Sequence, residues 1–419
     1  MNWLNYKIIE GAPYDIHILK TNKFKNVTVR IDFRKCVKKE EITIRNFLIS
    51  MLTTASKSYE TKRLMSIKSE DLFNASISGN SERHGTSIIT SFNISVLNDL
   101  YTKEGNLEES IAFLSEIIFN PLFNKSAFDI VYEETKNEIL SLKDDKTKYA
   151  INQMLFHMGE ESIISYNNYG YLEDLEKITL ESLEEYYNQM IRSDLVDIFV
   201  IGDVSYDEIK RIITKYIKIN TVKKQLPSII GEQRKKKKEK PLIIEKENVT
   251  QAVLVCGLTL RDLTPFEKEY VLPLYNIILG SGTDSKLFRV IREENSLCYY
   301  IDIRSKSLDN ISFIYSGISR ENYKKTYKLI KELMKDMRLG NFSDEIIENA
   351  KYKALSTISI IEDSSSALLD SYFLHKLIKT DTLDVKKKKI PSVTKENIMN
   401  VAKKITIDTV FLLQGGDES

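Results

Sequence analysis

Histidine and cysteine, the side chains that most often bind transition metals or act as nucleophiles, are rare in this 419-residue chain. The four histidines and three cysteines are His17, His84, His157, His375, Cys36, Cys256 and Cys298. No two histidines are four residues apart and no cysteines have CxxC spacing, although a zinc site needs three or four such ligands. His157 and Glu160 resemble a ligand motif without its second imidazole, so we interpret His157 as a residue of a helix surface. The ligand inventory argues against a zinc enzyme, and the sparse, odd set of cysteines is typical of a reducing compartment.

The segment 280–286, Gly-Ser-Gly-Thr-Asp-Ser-Lys, is the part of the chain that most resembles a phosphate-binding loop. It has neither the GxxxxGK[ST] nor the GxGxxG spacing that places backbone amides around phosphates. We interpret it as a turn after a helix. The sequence also contains no GxSxG motif, so a serine-hydrolase triad has no nucleophile elbow.

Charge and composition limit the class of protein. The chain carries 61 Lys and Arg against 60 Asp and Glu, with 42% hydrophobic residues. This balance removes the electrostatic argument for a dedicated nucleic-acid binder, and the apolar fraction is enough for a large core. The start has no secretory pattern, and the longest apolar runs, 196–201 and 271–279, fall short of the ~20 residues that a membrane-spanning helix needs. We expect a cytoplasmic protein with no membrane or nucleic-acid partner.

Hydrophobic periodicity predicts alternating strands and helices. Period-2 alternation at 27–33 and 92–96 predicts half-buried strands. Further, more buried strands are predicted from apolar runs at 196–201, 252–260, 311–315 and 410–413. Helical periodicity covers 42–56, 108–119, 126–143, 180–191, 207–217, 267–279, 321–338 and 343–360. This mixture favours layers of sheet and helix over a helix bundle.

Two pairs of segments indicate an internal duplication. Thr61–Lys68 resembles Ser285–Arg292 at an offset of 224. At an offset of 215, Thr179 and Thr394 each stand at the N-cap position of a helix that leads into a strand.

We predict two domains with one shared fold, at 1–220 and 247–419, joined by a basic linker at 221–246. The run of like charges at 234–238 repels itself and stays solvated. A nucleic-acid patch is the alternative interpretation of this run, but no aromatic residues interleave with it.

The segment Arg45–Leu52 resembles the metal-binding helix of the pitrilysin/insulinase superfamily, inverzincin peptidases whose active members carry HxxEH. The family's apolar frame is kept at Phe47, Leu48, Met51 and Leu52. Asn46 and Ser50 stand where two histidines would bind zinc, and Ile49 replaces the general base. Amide and hydroxyl groups are poor zinc ligands, and isoleucine cannot accept a proton from water. The resemblance implies that Glu138 matches the family's third ligand and that these degenerate positions hold no metal or other cofactor.

A second segment, Ser285–Tyr299, resembles the family's S-R-L-F…R-E…L-A-Y pattern. In active relatives this Arg and Tyr hold the substrate near the scissile bond, so the resemblance implies a substrate-binding role for Arg292 and Tyr299. A guanidinium can donate to a peptide carbonyl, and a phenol can donate to a developing oxyanion. The alternative is an exposed helix arginine together with a strand tyrosine that supports packing.

The resemblance also implies an α+β fold and a partner. Each domain is expected to be a mainly antiparallel sheet covered by helices, and the two domains to form half of a clamshell chamber. Because the zinc ligands and base are missing, the chain resembles the bacterial, non-peptidase members of the family. The leading hypothesis is a catalytically inactive subunit of a heterodimeric zinc metallopeptidase, with an HxxEH-bearing homologous partner and an unstructured peptide substrate. The alternatives are a non-proteolytic scaffold or maturation accessory protein, and a stand-alone peptidase with a relocated metal site.

Overall fold

The computed structural model describes residues 5–11, 13–219, 227–231 and 242–415, which form two compact units. The first unit comprises Met1–Leu140, Asn168–Ser228 and Ser365–Asp370, within those described residues. The second comprises Ser141–Asn167, Ile229–Ser364 and Ser371–Ser419. The predicted linker at 221–246 lies mostly outside the described residues, as does its whole basic run, and its last residues belong to the strand Ile243–Glu247.

Eleven strands and fourteen α-helices lie in the described residues. The strands are β1 (Asn5–Ile9), β2 (Asp15–Lys20), β3 (Asn26–Cys36), β4 (Ser76–His84), β5 (Ser87–Leu97), β6 (Leu195–Gly202), β7 (Ile243–Glu247), β8 (Ala252–Leu260), β9 (Cys298–Lys306), β10 (Ile311–Ile318) and β11 (Ile405–Gly415). The helices are α1 (Ile42–Leu52), α2 (Lys62–Asp71), α3 (Asn106–Phe119), α4 (Lys125–Ser141), α5 (Lys146–Gly159), α6 (Leu172–Leu175), α7 (Leu180–Ser193), α8 (Tyr206–Tyr216), α9 (Leu272–Leu279), α10 (Tyr323–Leu339), α11 (Asp344–Glu362), α12 (Ser365–Ile378), α13 (Leu383–Lys389) and α14 (Lys395–Lys404). None of these helices has both the length and the apolar character needed to cross a membrane.

The first unit is built on a six-stranded sheet in the order β1-β2-β6-β3-β5-β4. The pairing of β2 with β6 is parallel, and the other neighbours are antiparallel. Successive side chains of a strand point to opposite faces, so the predicted alternation at 27–33 places Val27, Val29, Ile31 and Phe33 on one face. That face forms the core with apolar residues of α1, α3, α4, α7 and α8.

The second unit repeats this topology. Its sheet has the order β7-β11-β8-β10-β9, which matches β2-β6-β3-β5-β4 position for position. The pairing of β7 with β11 is parallel and the remaining pairs are antiparallel, as at the equivalent places of the first sheet. The prediction of two homologous, mainly antiparallel α+β folds is therefore confirmed.

The two threonines singled out in the sequence begin helices as predicted. Thr179 accepts a hydrogen bond from the backbone N–H of Ser182, and Thr394 does the same for Asn397. In each case the third helical residue also accepts from the backbone N–H of the threonine, which completes a capping box. Helix α7 leads into β6, and α14 leads into β11. The same capping box therefore begins the helix that precedes the equivalent strand of each sheet.

Candidate functional site

Helix α1 is held against the first sheet by a completely buried arginine. Arg45 forms an ion pair with Asp194 at the end of α7 and donates hydrogen bonds to Thr90 of β5 and Tyr186 of α7. Burial disfavours the charged form, but Asp194 and Tyr186 together favour it more, so the pKa of Arg45 lies above its ordinary value. These contacts fix the rotation of α1 about its axis.

The degenerate metal positions occupy one surface of α1. Residues 46, 49 and 50 follow the i, i+3, i+4 spacing that brings helical side chains together. The Nδ2 of Asn46 donates to the carbonyl oxygen of Asn168 at 2.8 Å. The Oγ of Ser50 donates to the carbonyl oxygen of Asn46 at 3.4 Å. Both polar side chains therefore act as donors to the backbone.

Ile49, at the position of the family's general base, packs under an edge strand. Its side chain is 5% exposed, and a Cβ built on Gly79 of β4 would lie 2.6 Å from the Cγ2 of Ile49. Strand β4 is the last strand of its sheet, and among the described residues it pairs only with β5. The glycine lets the isoleucine fill this space, so the position that would activate water carries a hydrocarbon next to a free sheet edge.

Glu138 lies apart from these three positions along the chain, on the exposed side of α4 between the buried residues Thr135 and Ile139. Helix α1 meets α4 through the rings of Phe47 and Phe128, whose centroids are 5.0 Å apart. Glu138 follows Phe128 by ten residues, which is about 15 Å of helix. The structure thus groups Asn46, Ile49 and Ser50, whereas the match of Glu138 to a third ligand stays a prediction.

Arg292 lies at the end of a short helical segment, Phe288–Glu294, in the second unit. It is exposed, and its guanidinium carbon lies 4.6 Å from the ring centroid of Phe288. Ser296, with φ of 51°, then turns the chain while its N–H donates to the carbonyl oxygen of Arg292 at 3.1 Å. The left-handed conformation of Ser296 directs the chain from this helix into β9.

Tyr299 is the extra residue of a β-bulge. Strand β9 pairs with β10 so that Cys298 lies opposite Ile318 and Tyr300 opposite Gly317, which leaves Tyr299 unpaired between them. Its side chain is 68% exposed, whereas Tyr300 hydrogen-bonds through its hydroxyl to Thr147 of α5 at 2.6 Å. Bulges redirect a side chain and are common beside binding sites. Because β9 is also the last strand of its sheet, Tyr299 stands at a second free edge among the described residues.

Sequence reasoning missed a cluster of buried ligand-type side chains in the first unit. Asp15, His17 and Asp197 each offer a donor atom within 4.8 Å of the others. The sequence alone does not single out His17, because no other histidine or cysteine lies near it in the chain. The alternation of Asp15 and His17 with apolar residues, and the charge of Asp197 inside an apolar run, were the signals that could have identified them.

Comparison with known proteins finds similar sequences. A family model described as "Peptidase M16 inactive domain" matches residues 177–353. A protein of Bacillus subtilis (strain 168) named "Probable inactive metalloprotease YmfF" is 28% identical over 426 residues, with 99% of each chain covered.

Solved structures agree over nearly the whole chain. A conserved protein from Enterococcus faecalis V583 superimposes with a TM-score of 0.92 at 25% identity, covering 99% of this chain and 100% of the other. A peptidase M16 inactive domain from Pseudomonas fluorescens has the same fold at 13% identity, with a TM-score of 0.80 and 99% of each chain covered. This chain, which carries Asn46, Ile49 and Ser50 on α1 in place of HxxEH, is thus similar over residues 177–353 to the M16 inactive domain, and over nearly its whole length to a protein named as a probable inactive metalloprotease.

Proposed function

We propose that this chain is the non-catalytic subunit of a cytoplasmic heterodimeric zinc peptidase, in which a homologous partner with an intact HxxEH supplies the metal and the base. In this assignment the chain contributes a wall of the substrate chamber and binds an extended peptide. The observation that carries the proposal is the bulge that exposes Tyr299 at the start of edge strand β9, seven residues after the exposed Arg292.

The chemistry of β9 favours an extended, unstructured peptide as the substrate. An edge strand presents backbone N–H and C=O groups that can pair with an added strand. Backbone pairing supplies affinity without regard to sequence, and the guanidinium of Arg292 and the phenol of Tyr299 add two donors for carbonyl oxygens. A bulge interrupts pairing at Tyr299 and leaves its hydroxyl available to the peptide.

The test is cleavage of a fluorogenic peptide by the complex of this chain with an HxxEH-bearing homologue from the same organism. Removal of one preorganised donor costs about 10²–10³-fold in rate where the donor stabilises the transition state. We therefore expect Arg292→Ala with Tyr299→Phe to lower kcat/KM by at least about 100-fold, and a chelator to abolish the activity. Unchanged cleavage by the double variant would refute the site, and cleavage that survives chelation would refute the zinc partner.

Another exposed arginine and another exposed tyrosine provide a matched control. Arg289 lies on the same helical segment as Arg292 and is paired with Glu294, and Tyr352 of α11 is 73% exposed. The variant Arg289→Ala with Tyr352→Phe removes one exposed guanidinium and one exposed hydroxyl, as the test variant does. It should leave kcat/KM within about twofold of the wild type, because exposed substitutions away from a site usually change little.

The second candidate is a scaffold that binds peptides without cleaving them. It is favoured by the contacts of the degenerate positions on α1: Asn46 donates to a backbone carbonyl, and Ile49 is buried. Fluorescence anisotropy with an unstructured peptide separates the two candidates. Binding by the isolated chain that needs Arg292 and Tyr299, with no cleavage in any partner complex, would assign the scaffold role instead.

A further inference from the structure

A row of three carboxylates crosses the middle of the first sheet on the face opposite to its helical core. Asp197 on β6 is directly opposite Asp15 of β2 on one side and Asp32 of β3 on the other. All three residues are buried. Like charges directly opposite one another across strands repel, and burial strengthens that repulsion. The row therefore requires positive charge close by.

Arginine supplies positive charge at the β3 side. The Nε of Arg30 lies 3.1 Å from the Oδ2 of Asp32, and Arg30 also forms an ion pair with Asp370. Burial raises the pKa of Asp32, a rise that Asp197 increases and Arg30 opposes. Arg34, the next residue of β3 on the same face, is influenced by both Asp197 and Asp32, although burial keeps its pKa below the ordinary value.

At the β2 side the neighbour of the carboxylates is an imidazole. His17 is 0% exposed, and its Nε2 lies 3.6 Å from the Oδ1 of Asp197. Its Nδ1 is 2.7 Å from the hydroxyl of Tyr6 on β1, and its ring stacks on Phe199 with centroids 4.5 Å apart. These contacts fix the plane of the imidazole so that Nε2 faces the carboxylates.

The separations match a shared metal ion better than direct hydrogen bonds. An N–H···O bond spans about 2.7–3.2 Å. Two ligands each bound at about 2.1 Å to a tetrahedral Zn²⁺ are about 3.4 Å apart. The 3.6 Å between the Nε2 of His17 and the Oδ1 of Asp197 is close to the second value. The ligand atoms of all three residues lie within 4.8 Å of one another, so small side-chain movements bring them to one ion.

We infer that Asp15, His17 and Asp197 form a site for a divalent transition-metal ion, with Zn²⁺ as the best match. The donor set decides the metal class, because imidazole suits Zn²⁺ and its neighbours in the first transition row, whereas Mg²⁺ and Ca²⁺ prefer oxygen ligands alone. Tyr6 has the role of an outer-shell partner that accepts from Nδ1–H, so that Nε2 is the ring nitrogen that binds the ion.

The site would serve structure rather than catalysis. Its ligands join β2 to β6, strands that are far apart in the sequence and adjacent in the sheet. The burial of Asp15, His17 and Asp197 leaves little access for a substrate. None of these residues belongs to the degenerate positions on α1 or to Glu138, so the inference does not depend on the proposed function.

The experiment loads the full chain with Zn²⁺, removes excess ion by gel filtration and counts bound zinc by mass spectrometry of the metal. We expect one Zn²⁺ per chain, a melting temperature that falls on chelation, and tighter binding of Zn²⁺ than of Mn²⁺ or Mg²⁺. His17→Ala should lose the bound zinc, and His84→Ala, on β4 of the same unit, and Glu138→Gln should retain it.

A replacement of Asp197 can unfold the unit because β6 is a central strand, so the decisive variant is Tyr6→Phe on edge strand β1. Loss of an outer-shell hydrogen bond typically lowers metal affinity by about 10–100-fold, and we expect that loss with the fold unchanged by circular dichroism. Folded wild-type chain that retains no zinc, equal zinc affinity of Tyr6→Phe and the wild type, or a preference for Mg²⁺ would each overturn the inference.

Discussion

The two sheets share a strand order but differ in chemistry on equivalent faces. In the second unit the buried part of this face is apolar: Val255, Phe313 and Phe411 pack with Met154 and Met158 of α5 in one cluster. In the first unit the equivalent face carries the carboxylates of Asp15, Asp32 and Asp197 together with His17 and Arg30. Strand order and the apolar face toward α1 or α9 are thus enough to specify the fold. The opposite face can be filled by hydrocarbon or by paired charge.

The same contrast is seen in the helices that follow β3 and β8, the equivalent strands of the two sheets. Helix α1 is anchored by the buried pair of Arg45 and Asp194, whereas α9 is anchored largely by the buried apolar bodies of Leu274 and Tyr275. Replacing both members of a buried ion pair by apolar residues often costs little stability. Removing only one member leaves an uncompensated buried charge and costs much more. The first unit should therefore be the more sensitive of the two to single charge-removing substitutions.

The largest expected effect follows from Arg45→Met. The substitution leaves Asp194 buried without its guanidinium, which typically costs about 3–5 kcal/mol. We expect a loss of that size in the free energy of unfolding of the first unit, measured by denaturant titration. Arg45→Met combined with Asp194→Leu should recover most of the loss, because no buried charge remains. A cost below about 1 kcal/mol for the single variant would show that the pair does not anchor α1.

Two glycines, one in each unit, allow a comparison of the helix–sheet contacts, with smaller expected effects on stability. A Cβ on Gly79 would lie 2.6 Å from the Cγ2 of Ile49, and a Cβ on Gly257 would lie 2.5 Å from the Sδ of Met154. Isoleucine is stiff at its branched Cβ, whereas methionine is unbranched and adapts to a new neighbour. We expect Gly79→Ala to cost about 1–3 kcal/mol, as overpacking does, and Gly257→Ala to cost clearly less.

The control for this comparison is a second substitution that makes room. Ile49→Ala, which removes Cγ2, combined with Gly79→Ala should cost less than the sum of the two single substitutions, since they share one space. Equal costs at Gly79 and Gly257 would contradict the distinction between a stiff contact and an adaptable one.

The parts of the fold that could be predicted from sequence are those with strong local signals. The alternation at 27–33 corresponds to β3, and the threonine caps at 179 and 394 begin α7 and α14. The edge strands β4 and β9 give weak sequence signals for different reasons. In β4 exposed and half-buried positions alternate, but its sequence, SISGNSERH, is almost entirely polar and so shows no apolar alternation. In β9 the exposure pattern itself is irregular. Helix α5 was missed since its apolar side faces a sheet built from distant sequence.

The candidate site was predictable only in part. The residue types at 46, 49, 50, 292 and 299 could be taken from a resemblance, because they lie inside recognisable segments. The exposure of Tyr299 depends on a bulge, which is a property of the pairing between two strands and has no signature in β9 alone. The grouping of Asp15 with Asp197 depends in the same way on the parallel register of β2 and β6.

The smallest expected effect concerns exposed charge in the first unit, in contrast to its buried pair. Glu108 of α3 accepts hydrogen bonds from Arg211 and Lys215 of α8, each at 2.7 Å. These donors lower the pKa of Glu108 from 4.5 to about 2. A carboxylate whose pKa is lower in the folded state stabilises the fold above its ordinary pKa, and that contribution is lost as the pH falls toward the folded value.

Glu108→Gln should therefore destabilise the first unit at pH 7, by less than either glycine substitution, because exposed ion pairs are worth little. The difference in unfolding free energy between variant and wild type should stay constant above pH 4.5, shrink as the pH falls below it, and be smaller in 1 M salt, where charges are screened. Glu109→Gln on the same helix, which removes a carboxylate 3.4 Å from Lys103, controls for the change in net charge. A difference that persists unchanged to pH 2.5 would show that Glu108 acts through packing, and the contrast between buried and exposed charge in this unit would lose its electrostatic basis.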